Sequence, residues 1–177
     1  MTNRAVFLDR DGTINEHVEG YVISPGQFRF LPNSLEALKL LARSDYRIIV
    51  VTNQSAVARG RMTKETLEEI HARMLGEVES AGGRIDGVFA CLHHPDDGCG
   101  CRKPKTGLVE LAAETFRLDL KGSWFVGDNT KDVETGARAG CRTILVETGL
   151  GGKDGLHKTK PTYTAKELLE AAKLILR

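Results

Sequence analysis

With 177 residues, 41% of them hydrophobic and 28% charged, the chain has enough apolar content for one domain with its own core and too little length for a second. A formal net charge of +1 argues against bulk electrostatic binding to nucleic acid, which calls for a basic stripe, and only 6% of residues are aromatic. No run approaches the roughly 18 apolar residues that span a bilayer, and Met1-Thr2-Asn3-Arg4 leads straight into an apolar segment, so neither a signal peptide nor a membrane anchor is expected and the chain reads as a cytoplasmic monomer.

In chain order, apolar β-rich runs alternate with helical patterns. A strand is expected over 5–8, a helix over 33–43, and a strand over 47–52. The clearest helix covers 63–80, where Leu67, Ile70, Met74, Leu75 and Val78 share one face and Thr63 stands as N-cap. A strand at 88–91, a helix at 106–116, a strand at 123–126, a helix at 132–139 and a strand at 143–146 follow. The glycine-rich stretch 149–155 reads as a mobile loop, and a last helix is expected from Thr164, with Thr164 and Glu167 as a capping box before Leu168 and Leu169. Strands apolar on both faces that alternate with helices predict a doubly wound α/β domain, a parallel sheet covered on both sides, running over residues 1–177.

In such folds ligands sit at the carboxyl ends of the strands. The residues placed there are Asp9-Arg10-Asp11-Gly12-Thr13, Thr52-Asn53-Gln54-Ser55 and Gly127-Asp128-Asn129, with Arg102-Lys103 reached by the loop after the third strand. Asp9 and Asp11 are one residue apart, and alternate side chains of an extended segment share a face. Two carboxylates so close repel unless a cation intervenes. Mg²⁺ meets this need, since it binds through one or two carboxylates and a substrate phosphate. Asp132 either orients Lys103 or a metal-bound water, or is a surface aspartate favoured by the dipole of a first helical turn.

Three of the four cysteines fall within eleven residues, and with His93 they form C-x-H-x5-C-x-C: Cys91, His93, Cys99 and Cys101. Three thiolates and one imidazole are a common closed, tetrahedral set for structural zinc, and Gly98 and Gly100 supply the turns. His94 is read as lying outside the set, and Cys141 as a small core residue. Cys101 is followed directly by Arg102 and Lys103, so fixing Cys101 fixes both cations at the sheet edge.

LDRDGT, VTNQS, CRKPK and VGDNTKD, in this order, resemble the four motifs of the haloacid dehalogenase superfamily. The resemblance implies a Rossmann-like fold and a Mg²⁺-dependent phosphatase. Asp9 would be the nucleophile and Asp11 the general acid/base, while Thr52 and Lys103 would bind the transferring phosphoryl group. Mg²⁺ would be held by Asp9, the backbone carbonyl of Asp11, and Asp128. About twenty residues between Gly12 and the first helix are too few for a folded cap domain, so the site is expected to be open.

Within the superfamily, residues 14–34 and 52–63 are similar to a capless, zinc-bearing subgroup that acts on a heptose 1,7-bisphosphate, with a histidinol-phosphate subgroup or a broader small-molecule phosphatase as the alternative. By that resemblance Gly20, Tyr21, Asn53, Gln54, Ser55, Arg59 and Arg102 meet the sugar and its second phosphate. A small phosphorylated sugar is the expected partner, cleaved at its C7 phosphate in the making of activated heptose for lipopolysaccharide or a related glycan. Thr106 and Asn129 depart from the subgroup, which usually shows proline at the first and sometimes lysine at the second. A reading of another class, a non-catalytic zinc-dependent binding module, would need the zinc loop alone.

Overall fold

Ala5–Leu8 (β1) is buried at all four positions, the mark of a strand covered on both faces. Its neighbours repeat the pattern in this computed structural model, which describes residues 3–177; Met1 and Thr2, the first two residues of the expected domain, lie outside the described residues. Arg47–Asn53 (β2), Gly87–Cys91 (β3), Trp124–Gly127 (β4), Arg142–Val146 (β5) and Tyr163–Ala165 (β6) join β1 in one all-parallel sheet of order β3-β2-β1-β4-β5-β6. The strand order reverses between β1 and β4, so a crevice opens beyond their carboxyl ends.

Alternation along the strands divides the core in two. Val6, Leu8, Ile48, Val50, Val126 and Ile144 face Ser34–Leu41 (α1), Lys64–Ser80 (α2) and Leu168–Ile175 (α5). Phe7, Ile49, Val51 and Phe125 face the other way, toward Gly107–Phe116 (α3), and Thr130–Arg138 (α4) packs on β4 and β5 from that side. Full burial of such a side chain contributes about 1.5–3 kcal/mol. Close packing on this face needs Gly136: a Cβ there would lie 2.6 Å from both Phe125 Cβ and Thr143 Cγ2. Because α4 sits this close, its first turn is delivered to the tip of β4.

The structure departs from the sequence reading at the C-terminal end. Thr164 does not open a helix; it lies in β6, paired with Leu145, and α5 starts only at Leu168. Glu167 occupies the N-cap position without a side-chain cap, and its carboxylate instead accepts hydrogen bonds from Asn33 Nδ2. At the other expected helix, α4 begins at Thr130 rather than at 132, with a capping box made by Asn129 and Asp132. Residues 149–155, expected to be mobile, are fastened to the tip of β4. No cap domain is inserted among the described residues; the 13–33 segment instead folds over the crevice through pairings of Asn15 with Asp11 and Phe30.

Candidate active site

β1 ends at Leu8 and hands Asp9 to the crevice; β4 ends at Gly127 and does the same for Asp128. A cavity of about 220 Å³ opens between them, and it gathers eight of the residues marked from sequence: Asp9, Asp11, Tyr21, Asn53, Ser55, Arg102, Lys103 and Asp128. Lys103 is the pivot. Its side chain is fully buried, with Nζ 2.9 Å from Asp9 Oδ1 and 2.7 Å from Asp132 Oδ1. The Arg10 N–H donates to the same Asp9 oxygen at 2.7 Å. Asp132 is therefore no surface aspartate: it is fully buried and holds Lys103. The second Asp132 oxygen accepts from the Asn129 N–H, so the start of α4 fixes the carboxylate as well.

Charge in the crevice is unbalanced. Three carboxylates, Asp9, Asp128 and Asp132, each offer an oxygen within 4.8 Å of the others, and among the described residues Lys103 is the only ammonium paired with any of them. Burial, and then the charges of Asp9 and Asp132, push Asp128 up to about 7. Burial and Asp9 push Asp132 up to about 6, against the pull of Lys103. Burial disfavours the charged form of Lys103, yet Asp132 and Asp9 outweigh it and raise the pKa above the ordinary lysine value. A divalent cation suits this deficit. The surroundings of Asp128 fit one too: a Cβ on Gly12 (φ +82°) or on Gly149 (φ +57°) would lie 2.2 Å from Asp128 Oδ2, so two left-handed glycines are what lets the backbone close around this carboxylate. The Asp11 carbonyl receives no hydrogen bond among the described residues, which leaves it open as an oxygen ligand.

The Asp11 side chain has a different setting from the other acids. Arg10 Nη2 donates to both of its oxygens at 2.9 Å, Asn15 Nδ2 to Oδ1 at 2.9 Å and Gln54 Nε2 to Oδ2 at 2.8 Å. Burial would raise its pKa, but the Arg10 charge and these bonds win and hold it below the ordinary carboxylate value. Arg10 is itself completely buried, with Nη1 3.1 Å from His71 Nε2. Burial and the Arg10 charge push His71 down to about 4, so its Nε2 is an acceptor at neutral pH. Neither Arg10, Asn15 nor His71 stood out in the sequence. Arg10 lies inside the first motif and was the readable signal; His71, on α2, had none.

The remaining expected residues separate into two groups. Asn53 grips the Lys103 backbone, accepting from its N–H at 3.1 Å and donating to its carbonyl at 3.2 Å. Tyr21 (φ +80°) follows Gly20 (φ +82°) in the left-handed region, and its hydroxyl lies 3.2 Å from Ser55 Oγ. Gly20, Thr52, Gln54 and Arg59 do not line the cavity. The Thr52 hydroxyl is buried and accepts from Gln54 Nε2 at 2.9 Å. Arg59 is exposed, and the Ser55 bond, then the Arg59 charge, hold the Tyr21 phenol below its ordinary value. The cavity also takes in Asn129, placed at the strand ends from sequence, and His17, Val18, Lys131 and Leu150, which were not marked.

Beside the cavity, Cys91, His93, Cys99 and Cys101 converge. Sulfur–sulfur distances are 3.2–3.6 Å, and His93 Nδ1 lies 3.2 Å from Cys101 Sγ and 3.7 Å from Cys91 Sγ. A tetrahedron with zinc–sulfur bonds of about 2.3 Å has edges of about 3.8 Å, so the set is close to that size. His94 is outside it, capping the turn at Pro95–Asp97 by accepting from the Asp96 N–H. The loop is tied from below by Lys105 Nζ, which donates to the carbonyls of Gly98 and Cys99. Gly107 lets α3 start against it, since a Cβ there would lie 2.6 Å from the Gly100 carbonyl oxygen.

A parallel sheet with acids at the switch point, a buried lysine from the next loop and no cap is the architecture of a HAD-like hydrolase. The HAD-hydrolase-like family model matches residues 100–171. A D-glycero-beta-D-manno-heptose-1,7-bisphosphate 7-phosphatase from Bordetella bronchiseptica is 41% identical over 150 residues, covering 85% of this chain and 84% of that one. The enzyme of the same name from Pseudomonas putida is 38% identical over 161 residues, 91% of each chain. The crystal structure of the D,D-heptose 1,7-bisphosphate phosphatase from B. bronchiseptica, complexed with magnesium and phosphate, superimposes with a TM-score of 0.93 at 37% identity over 98% of both chains. The chain belongs to this family of HAD-like phosphatases.

Proposed function

We propose that the protein hydrolyses the C7 phosphate of D-glycero-D-manno-heptose 1,7-bisphosphate through an aspartyl-phosphate on Asp9, with residues 1–177 acting as one phosphatase domain. The observation that carries the reading is the meeting of Asp9, Asp128 and Lys103 at the switch point of the sheet. Asp9, Asp128 and the Asp11 carbonyl would hold Mg²⁺, which when bound neutralises the phosphoryl oxygens and the excess carboxylate charge. Cys91, His93, Cys99 and Cys101 would hold zinc, which when bound makes the loop before Arg102 and Lys103 rigid.

One Asp9 oxygen is engaged by Lys103 and the Arg10 N–H, which aims the carboxylate. Asp9 attacks phosphorus, the bond to the sugar oxygen breaks, and Asp11 donates a proton to the leaving alkoxide. Water then attacks the same phosphorus, Asp11 takes its proton, and Asp9 is released with inorganic phosphate. Lys103 contributes positive field at the equatorial oxygens, while Thr52, outside the cavity lining, holds the Gln54 amide that donates to Asp11. The bonds from Arg10, Asn15 and Gln54 keep Asp11 as carboxylate, suited to the second half-reaction; donation in the first uses the minority protonated form.

A bisphosphate brings a second dianion. Arg102 lines the cavity with its Nη1 buried and unpaired, a donor suited to phosphate, and Lys131 stands at the same mouth. Lys131, two residues beyond Asn129, supplies the cation that Asn129 does not. Tyr21, Ser55 and, from outside, Gly20 and Arg59 would border the sugar. Asn53 and Gln54 would act behind the substrate, through Lys103 and Asp11. The enzyme would work as a cytoplasmic monomer on a small sugar phosphate rather than on nucleic acid, in the supply of activated heptose for lipopolysaccharide; no helix among the described residues is long and apolar enough to cross a membrane.

The test is phosphate release from the heptose bisphosphate, from histidinol phosphate and from a set of sugar monophosphates with Mg²⁺, compared by kcat/KM. The bisphosphate should lead by at least about tenfold, and Asp9→Asn should remove at least roughly three orders of magnitude of kcat. Faster turnover of histidinol phosphate would end the heptose assignment.

A further inference from the structure

The chain following β5 has no part in the chemistry above, yet it is bonded directly to the tip of β4. The Leu150 N–H donates to Asp128 Oδ2 at 2.7 Å and the Gly152 N–H to the Asp128 carbonyl at 2.8 Å. The Thr148 hydroxyl donates to the Gly12 carbonyl at 2.7 Å, on the opposite side of the crevice. Gly149 (φ +57°) passes where only glycine fits, its notional Cβ 2.6 Å from Gly12 Cα. The far end of this strap is fixed by one side chain. Asp154 Oδ1 accepts from the Thr130 N–H at 2.9 Å, and Oδ2 accepts from the Thr130 hydroxyl, which in turn accepts from the His157 N–H at 3.2 Å.

We infer that Asp154 is a positioning residue for the Mg²⁺ site: by latching the strap to the first residue of α4, it holds the Leu150 N–H against Asp128 and sets the direction of that carboxylate. Thr130 opens α4, so its N–H is among the donors that the helix leaves unpaired, and a carboxylate there is favoured by the dipole. That makes the latch firm on its own. Between the latch and the Leu150 N–H lie the turns of 150–155, tied to β4 by the Gly152 N–H alone, and Gly151, Gly152 and Gly155 all have positive φ. Such glycine-rich backbone has little stiffness of its own. Without Asp154 the strap keeps only the Thr148 and Gly152 bonds, the Leu150 N–H is held less firmly at Asp128 Oδ2, and part of the carboxylate's order must be supplied when the metal binds. Hydrogen bonds to metal-ligating carboxylates commonly carry factors of about 10–100 in metal affinity. The strap thus serves in this capless fold as a support for the metal ligand, and Leu150 reaches the cavity wall as a consequence.

The experiment is Mg²⁺ binding to the full chain without substrate, by titration calorimetry with Mn²⁺ displacement as a second readout. Asp154→Ala should weaken Mg²⁺ about tenfold, and the Mg²⁺ concentration for half-maximal phosphate release should rise by the same factor while kcat at saturating Mg²⁺ stays near that of the unaltered protein. Asp154→Asn, which keeps an acceptor for the Thr130 N–H, should recover most of the affinity; failure to recover would mean that charge rather than anchoring is responsible, and would overturn the inference. Unchanged Mg²⁺ affinity in Asp154→Ala would overturn it directly. If that variant does not fold, Thr130→Val is read the same way, with a loss of about threefold expected and no loss fatal. The inference rests on Asp128 being a ligand, and Asp128→Asn examines that alone: it must lose Mg²⁺ binding whatever Asp154 does.

Discussion

The two ends of the sheet handle buried acid in opposite ways. At the amino ends of β2 and β3, Asp86 is surrounded by more donors than it needs: Arg47 Nη1 at 2.9 Å, Arg84 Nε at 3.0 Å and the Ile48 N–H at 2.8 Å. Burial would raise its pKa, but these bonds hold it below the ordinary value. Arg84 spends its other nitrogens on the carbonyls of Ala42 and Tyr46, so this cluster closes on itself and ties the strand to the loop before β2. At the carboxyl ends, three buried carboxylates share one lysine, and two of them are pushed toward neutrality. One end is neutralised by protein and contributes to stability; the other is left short of positive charge, a deficit that suits a divalent cation.

If this contrast is right, removing an acid should have different consequences at each end. Asp132→Asn at the carboxyl end keeps an acceptor for the Asn129 N–H but loosens Lys103, which still has Asp9. It should lower kcat/KM about 100-fold, while the thermal midpoint of the metal-free protein changes by no more than a few degrees because repulsion with Asp9 is relieved at the same time. A parallel fall in stability and activity would show that Asp132 is structural glue like Asp86. Asp86→Ala at the amino end should do the reverse. It leaves two guanidinium groups and the Ile48 N–H without their shared acceptor, at a cost of about 2–3 kcal/mol in denaturant unfolding, with kcat/KM within about twofold. The cost is kept below that of a fully buried pair because Arg47 and Arg84 are each more than a third exposed and partly screened.

The same contrast explains what could be read from the sequence. The zinc set was legible because its four ligands lie within eleven residues and the spacing alone brings them together. The acids were legible because each ends an apolar strand, and a parallel sheet places strand ends side by side. Asp132 stayed open between two roles, since its burial depends on how closely α4 packs on β4 and β5, which Gly136 permits without announcing it. β6 was lost to a capping-box pattern: Tyr163 and Thr164 are exposed on an edge strand, and only Ala165 is buried against the core, so no apolar run marked it. His71 and the strap were beyond reach for another reason. Their roles rest on contacts between segments far apart in sequence, Arg10 with His71 and Leu150 with Asp128, and neither uses a residue type that signals its partner.

The finest test of the contrast is the pH dependence of stability. In Mg²⁺-free protein Asp128 titrates at about 7 in the fold, against about 3.9 for an unfolded aspartate. Between those values the folded form retains a proton that the unfolded form has released, so its contribution is full below the unfolded value and is lost as pH rises through about 7. Asp132, at about 6, acts with the same sign. Asp86 is opposite: its depressed pKa contributes stability above the ordinary carboxylate value, which is lost only as pH falls through the folded one. The thermal midpoint of the Mg²⁺-free protein should therefore decline from pH 5 to pH 8, and saturating Mg²⁺, which binds the ionised acids, should remove most of that decline. The gap between loaded and free protein then widens with pH, and in Asp86→Ala only the acid limb below about pH 4 should flatten. A gap that stays constant from pH 5 to pH 8 would mean that the carboxyl-end acids ionise freely without a cation, and that the two ends of the sheet do not differ in the way their geometry requires.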